Sequence, residues 1–364
     1  MSADQLLIAL MALFAVLGAL DRIFGGRFGI GREFESGILT MGSLALAMVG
    51  IVCLAPVLAA VLRPVVVPVF RLLGADAAMF AGSILACDMG GGALARELTQ
   101  NADAAALGGV ITGSMLGATV VFTIPVAMGI LDEGDRPAMA KGILCGIITI
   151  PVGVLVGGLV AGFPLAMVAQ NLIPIVILAA LIALGLWRAE KAMVRGFELF
   201  GKGVVAVSTA GLAAAIAQSL TGWIIIPGMA PIADGFQTVG SIAIVLAGAF
   251  PLVAILTRLL RKPLLAAGKY LGINDAAAAG LIASLANSIA TFGMVKDMNP
   301  RGKVVNIAFA VSAAFVFGDH LGFTAGFAPE LLPAVILGKL SGGVSAVLVA
   351  LLLTAKEGDS TKRS

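Results

Sequence analysis

Residues 86–92, ACDMGGG, place the carboxyl group of Asp88 beside three consecutive glycines within a long apolar stretch. Each glycine weakens a helix by about 1 kcal/mol relative to alanine. At bilayer depth a charged side chain costs about 2.5–3.5 kcal/mol on insertion scales, and freed backbone groups must face protein or a water-filled cavity. The stretch therefore predicts a broken membrane helix that handles a polar solute.

The composition is that of an integral membrane protein. Hydrophobic residues make up 60% of the 364 residues, charged residues make up 12%, and the mean hydropathy is +1.10. An ordinary soluble domain has about 25% charged residues. The sequence predicts an all-α polytopic membrane protein with about 9–11 membrane segments of about 20 residues. The apolar segments are residues 5–20, 37–62, 77–96, 104–131, 138–163, 170–187, 203–224, 238–260, 276–295, 303–327 and 331–354.

A second acidic motif lies late in the chain, where Asp319 and His320 follow Gly318. His320 is the one histidine of the sequence, and a histidine beside an aspartate titrates near neutral pH. Such a pair suits proton coupling or a gate linked to substrate charge. The alternative is a structural role, with a neutral His320 bonded to a helix carbonyl and Asp319 capping a break at Gly318.

An internal repeat relates the two halves of the chain. Residues 73–82, LGADAAMFAG, resemble residues 271–280, LGINDAAAAG, and a short break follows each copy. Chance is the alternative explanation, because Ala, Gly and Leu are abundant. We predict a single transmembrane transporter domain over residues 1–354, followed by a polar C-terminal tail. Its parts are repeat halves 37–163 and 238–354, linking helices 170–187 and 203–224, and the tail 355–364.

The basic loops indicate how the two halves are oriented. If every segment crosses the membrane, the loops rich in Lys and Arg fall on alternating sides, against the positive-inside rule. If residues 77–96 and 276–295 instead enter and leave on one side, these loops all become cytoplasmic. The N-terminus is then outside, the C-terminus is inside, and the halves form an inverted-topology repeat with two broken or re-entrant helical segments, a common transporter design.

The first break predicts an anionic, carbonyl-rich pocket formed by Asp88 with Cys87 and Gly90, which suits a cation. Its alternative is an ion pair of Asp88 with Arg96 or with a lysine of another helix. The second break offers Asn287 and Ser288, whose amide and hydroxyl groups could bind a substrate hydroxyl. Their alternative role is hydrogen bonding between helices.

Further site candidates are Thr123 and Phe323, with Phe292 and Phe317 also near the breaks. A ring facing an ammonium contributes about 0.5–2 kcal/mol through cation–π attraction. No cofactor, metal site or disulfide framework is expected, because the cysteines lie in apolar runs without a pairing motif. No nucleic-acid partner is expected either, and the sequence is compatible with a homo-oligomer.

With these motifs the chain resembles the bacterial ethanolamine permease family of ethanolamine-utilisation operons. The resemblance implies uptake of ethanolamine across the bacterial cytoplasmic (inner) membrane by a multi-pass protein. Ser288 departs from the family, where a second Asn is often found. The matching stretches are residues 41–50 (MGSLALAMVG), 54–58 (LAPVL), 79–82 (MFAG), 86–91 (ACDMGG), 122–127 (FTIPVA), 146–151 (GIITIP), 284–287 (SLAN), 301–306 (RGKVVN), 308–315 (AFAVSAAF), 317–323 (FGDHLGF) and 338–340 (GKL).

The sequence thus favours a secondary transporter for ethanolamine in which Asp88 or Asp319 pairs with the ammonium. A channel-like facilitator or a carrier of another small amine is the alternative. An intramembrane enzyme is a remote alternative. An aspartyl protease motif Gly-x-Gly-Asp would need glycine where Val316 stands, and no serine-protease turn accompanies His320.

Overall fold

The computed structural model describes residues 2–355, and within that range the protein is helical and contains no strand. The predicted polar tail lies outside the described residues, apart from residue 355. The helices are α1 (Ala3–Ile23), α2 (Ile30–Leu44), α3 (Gly50–Leu72), α4 (Ala78–Ile84), α5 (Gly91–Leu98), α6 (Ala102–Ala105), α7 (Ile124–Ile130), α8 (Arg136–Val160), α9 (Leu165–Thr221), α10 (Ile232–Leu271), α11 (Asp275–Ala286), α12 (Ser288–Met294), α13 (Pro300–Ala313), α14 (Asp319–Phe327) and α15 (Leu332–Leu353).

Seven continuous helical stretches of the described chain are long and apolar enough to cross a membrane, so the protein is a multi-pass membrane protein. The longest, α9, has 57 residues, more than twice the roughly 20 that one crossing needs. It is interrupted at Ala189, whose φ of −144° and ψ of 46° are not helical. The interruption lies between the predicted segments 170–187 and 203–224, so this stretch accounts for both.

Three predicted segments are broken helices. Residues 77–96 form α4 and α5 around a turn, residues 276–295 form α11 and α12 around Asn287, and residues 303–327 form α13 and α14 around residues 314–318. Gly90 has a φ of +93°, and a side chain there would meet Ile51, so glycine suits this turn. Asn287 is extended and accepts a hydrogen bond from the Ile289 amide at the start of α12.

The first two broken segments are hairpins whose ends are hydrogen-bonded together. Thr99 Oγ1, after α5, donates to Asp76 Oδ2, before α4, at 2.7 Å. Asn274 Nδ2, before α11, donates to the Asp297 carbonyl, after α12, at 2.8 Å. Each segment therefore enters and leaves at the same end of the molecule, as predicted for a re-entrant helix.

The two hairpins are anchored at opposite ends of α8. The Asp76 amide donates to Asn171 Oδ1 at 2.7 Å, and Asn171 lies near the start of α9, just after α8 ends. Lys303, close behind the second hairpin, forms an ion pair with Asp135 directly before α8. The 25 residues of α8 span about 37 Å at 1.5 Å per residue. The inverted-topology repeat and the duplication both stay predictions.

A wide helical stretch between α6 and α7 was not predicted. Residues Ala106–Gly117 and Thr119–Thr123 have the i→i+5 hydrogen bonding of a π-helix, which is frequent at functional sites. Glycines bring its backbone against the first hairpin, since an added Cβ at Gly117 would lie 1.9 Å from the Leu85 carbonyl oxygen. The first hairpin is therefore held by backbone-to-backbone packing, which small residues permit in membranes.

Candidate functional site

The broken helices bring the two acidic motifs together. Asp88 lies in the short turn Cys87–Met89 between α4 and α5, and Asp319 and His320 begin α14. The His320 Nε2 atom is 3.7 Å from Asp88 Oδ1, and both side chains are largely buried. Unwinding at both positions exposes side chains and backbone groups that a continuous helix would have hidden, so the breaks create the site.

Asp88, Asp319 and His320 line one cavity of about 800 Å³. The cavity extends to Arg136, Glu198 and Lys202, whose side chains are 41%, 44% and 72% exposed. Arg136 is the first residue of α8, so the cavity opens at the end of the molecule where the second hairpin is anchored. Asp319 is partly exposed, whereas Asp88 is only 9% exposed.

Two aromatic rings complete the wall around the carboxylates. Phe122 and Phe315 line the cavity, and their ring centroids are 5.5 Å apart in an edge-to-face arrangement. The Phe315 ring also lies 5.3 Å from the His320 ring. An electron-rich ring face beside two carboxylates suits an ammonium group.

Phe315 holds its position through an unusual backbone conformation. Its φ is +62°, and no other non-glycine residue of the described chain has a positive φ. Such a conformation costs about 1–3 kcal/mol and is found at functional sites where the surroundings enforce it. Here the Phe315 amide donates to the Ser284 carbonyl at 3.1 Å, and the Phe317 amide donates to the Leu285 carbonyl at 2.9 Å. The end of α11 thus positions the ring that lines the cavity.

The other predicted site residues are not among the residues found to line the cavity. Cys87 and Ser288 are fully buried, Thr123 is buried in the π-helical stretch, and Asn287 caps α12. Gly90 supplies the left-handed turn after Asp88. Their direct contact with a substrate stays a prediction.

Phe323 is buried and is not among the residues found to line the cavity. Its ring stacks on Phe327 with centroids 4.7 Å apart, and the Arg96 guanidinium lies 3.6 Å above the Phe327 ring. Arg96 Nη2 also donates to the Phe327 carbonyl at 3.0 Å. Arg96, Thr99 and Phe327 are among the residues that line a separate cavity of about 330 Å³. Arg96 is therefore engaged with Phe327 and is not an ion-pair partner of Asp88.

Lys339 is a site residue that the sequence analysis did not single out. Its side chain is 1% exposed, and its Nζ donates to the Ser114 carbonyl in the π-helical stretch. It is close enough to Asp88 and Cys87 for electrostatic interaction. The sequence feature that could have identified Lys339 is a lone lysine inside the apolar run of α15, since charged residues within membrane helices mark functional sites.

Three side chains at the site have metal-ligand chemistry. A sulfur of Cys87, an oxygen of Asp88 and a nitrogen of His320 lie within 4.8 Å of one another. A set of this kind can hold a soft divalent ion.

The family model described as "Ethanolamine utilisation protein, EutH" matches residues 3–353. The chain belongs to the EutH family. The match includes both hairpins, the cavity and Lys339, so the site described above lies entirely within the family region.

Curated relatives are similar to this chain along nearly their whole length. "Probable ethanolamine permease EutH" of Listeria monocytogenes is 58% identical over 353 residues, which cover 97% of this chain and 95% of the relative. A protein of the same name from Escherichia coli is 48% identical over 395 residues, which cover 98% of this chain and 97% of the relative. The uncharacterized protein YxeR of Bacillus subtilis is 49% identical over 354 residues, which cover 97% of this chain and 96% of the relative. No solved structure matches the chain significantly.

Proposed function

We propose that the protein is a secondary transporter that takes up ethanolamine across the bacterial cytoplasmic membrane, with the ammonium group bound between Asp88 and Asp319. The observation that carries the proposal is the pair of carboxylates in a cavity open to one end of a membrane protein. The relatives named as probable ethanolamine permeases support the substrate.

The polar groups at the base of the cavity match the polar groups of ethanolamine. Asp88 Oδ1 and His320 Nδ1 are buried and have no hydrogen-bond partner among the described residues. A buried polar atom left without a partner costs about 1–3 kcal/mol, so a ligand that supplies one is favoured. The ammonium brings three donors, and the hydroxyl can donate to or accept from His320.

The open end of the cavity supports a carrier that alternates between two openings. It carries Arg136 and Lys202, and loops rich in such residues are cytoplasmic under the positive-inside rule. In this orientation the cavity faces the cytoplasm, and import requires a second state that opens to the outside while the present opening closes.

Transport by the purified protein in proteoliposomes tests the proposal. We expect uptake of labelled ethanolamine that saturates and that is accelerated when unlabelled ethanolamine is loaded inside, since counterflow requires an alternating carrier. Calorimetric titration of the detergent-solubilised protein with ethanolamine should show saturable binding. Uptake without saturation or counterflow would indicate a channel-like facilitator, and absence of both binding and uptake would overturn the assignment.

The aromatic wall predicts the effect of Phe315→Leu. The substitution keeps an apolar side chain but removes the ring face beside the ammonium, which is worth about 0.5–2 kcal/mol. We expect KM for ethanolamine to rise about 2–30-fold with a smaller change in maximal rate. The matched control is Phe317→Leu, two residues along and outside the cavity lining. Equal KM values for the two variants would show that the Phe315 ring does not contact the substrate.

A further inference from the structure

We propose that the cavity contains an apolar wall that binds the alkyl group of an N-alkyl ethanolamine, and that such ligands block transport without being carried. The inference rests on the proposed function, because the ammonium of the ligand lies between Asp88 and Asp319. It follows from the volume of the cavity and from the side chains that line it between its base and its mouth.

The cavity is much larger than ethanolamine. Its volume is about 800 Å³, whereas a protein cavity of about 150 Å³ is sufficient to bind benzene. Ethanolamine has fewer non-hydrogen atoms than benzene, and pockets of roughly 300–1,000 Å³ hold drug-sized ligands. An ethanolammonium at the carboxylates therefore leaves most of the cavity to water or to a further part of a larger ligand.

The lining between the base and the mouth is apolar on several sides. On α9, Glu198 and Val205 lie on one face of the helix, about 10 Å apart at 1.5 Å per residue. Glu198 lies at the charged mouth, and Ser208, beyond Val205, donates to the Ala47 carbonyl at 2.9 Å. The cavity thus extends inward along α9 from the mouth. Its apolar wall consists of Leu44, Ala47, Val121, Pro125, Val126 and Val205.

An N-alkyl ethanolamine matches both the base and the apolar wall. Its secondary ammonium keeps two N–H donors, one for Asp88 and one for Asp319, and its hydroxyl keeps its approach to His320. The third substituent of the nitrogen is the alkyl group, which extends away from these polar side chains toward the wall. Each methylene that the wall removes from water raises the affinity about fourfold.

An alkyl group on the wall also blocks the change of access that import requires. Val126 belongs to α7 and Val205 to α9, so a chain along the wall lies between these helices. The two helices already pack closely beside it, since an added Cβ at Gly201 would lie 3.3 Å from Pro125 Cγ. The opening cannot close while the chain separates them, so the ligand is bound and not carried.

A series of N-alkyl ethanolamines tests the proposal. Calorimetric titration of the detergent-solubilised protein with the N-methyl, N-ethyl, N-propyl and N-butyl compounds measures how affinity depends on chain length. We expect N-butylethanolamine to bind at least tenfold tighter than N-methylethanolamine. It should inhibit uptake of labelled ethanolamine competitively and should not itself accumulate in proteoliposomes. Equal affinities along the series, as expected if a bilayer acyl chain already covers the wall, would overturn the proposal, and so would accumulation of labelled N-butylethanolamine.

A matched compound separates the wall from simple partition into detergent. 2-Butoxyethanol has the same chain and hydroxyl but no ammonium, so it should not compete with ethanolamine at concentrations where N-butylethanolamine does. Equal competition by the two compounds would show that the chain acts independently of the carboxylates, and the proposal would then be wrong.

Two valine substitutions on α9 locate the wall. Val205 and Val207 are 56% and 43% exposed, and only Val205 is among the residues found to line the cavity. In Val205→Ser we expect the affinity of N-butylethanolamine relative to N-methylethanolamine to fall at least threefold. Val207→Ser should leave this ratio unchanged. Val126→Ser repeats the test on α7, and an unchanged ratio in both Val205→Ser and Val126→Ser would overturn the assignment of the wall.

The two proposals fail in different ways. If the unsubstituted protein neither binds nor takes up ethanolamine, the proposed function fails. If it binds and takes up ethanolamine but its affinity for the series does not depend on chain length, only the apolar wall fails.

Discussion

Asp88→Asn is expected to lower uptake of labelled ethanolamine by about 30-fold or more. The substitution keeps the shape of the side chain and removes its negative charge at the base of the cavity, 3.7 Å from His320. Removing one partner of a buried, hydrogen-bonded charge pair costs about 2–5 kcal/mol, and each 1.4 kcal/mol is about tenfold in affinity. Initial rates in proteoliposomes, corrected for the amount of inserted protein, measure the effect.

The control for this prediction is Asp103→Asn. Asp103 is an exposed aspartate at the start of α6, so the variant has the same change in net charge away from the cavity. Its uptake should match that of the unsubstituted protein. Near-normal uptake by a folded Asp88→Asn protein would remove Asp88 from the binding site, and Asp319→Asn would then test the other carboxylate.

Gly318→Ala is expected to have the second large effect. The added methyl group would separate the turn at residues 314–318 from the end of α11, which it contacts. An added Cβ at this position would lie 2.2 Å from the carbonyl oxygen of Ala286, a backbone atom that cannot turn aside. Overpacking of this kind costs about 1–3 kcal/mol. It also displaces Asp319 and His320, which follow directly, and a shift of about 1 Å at a site can cost about 100-fold in rate.

Thermal unfolding, followed by size-exclusion chromatography, measures the loss of stability. Uptake by the fraction of protein that remains folded measures the loss of transport rate. The matched control is Gly293→Ala in α12, where an added Cβ meets nothing within 4 Å. That variant should be at least as stable as the unsubstituted protein, because alanine favours a helix over glycine by about 1 kcal/mol. Equal stability and uptake for both alanine variants would contradict the tight packing at Gly318.

The sequence was sufficient to predict those elements of the fold that depend on neighbouring residues. Glycines beside an isolated carboxylate located the break at Asp88, the repeat located the break at Asn287, and hydropathy located the long apolar helices. The basic loops led to two re-entrant segments, whose ends the structure joins through Thr99 and Asn274. Each of these signals comes from neighbouring residues or from a preference for one side of a membrane, so each can be recognised without knowledge of the packing.

The site itself was predicted only in part. Asp88, Asp319 and His320 were expected and line one cavity, whereas the aromatic candidates near the breaks were Phe292, Phe317 and Phe323. The rings that line the cavity are Phe122 and Phe315. Which face of a helix points inward depends on its rotation against its neighbours, and in a chain this apolar no polar stripe reveals that rotation.

The sequence alone determined that this is a helical membrane protein broken at two acidic motifs, because apolar length, glycine and buried charge act through local free energies. The tertiary structure decided which groups share the cavity. It placed Lys339 behind Asp88, turned Phe315 inward and stacked Arg96 on Phe327. Those contacts join residues far apart in the chain, and they depend on helix packing that no local pattern specifies.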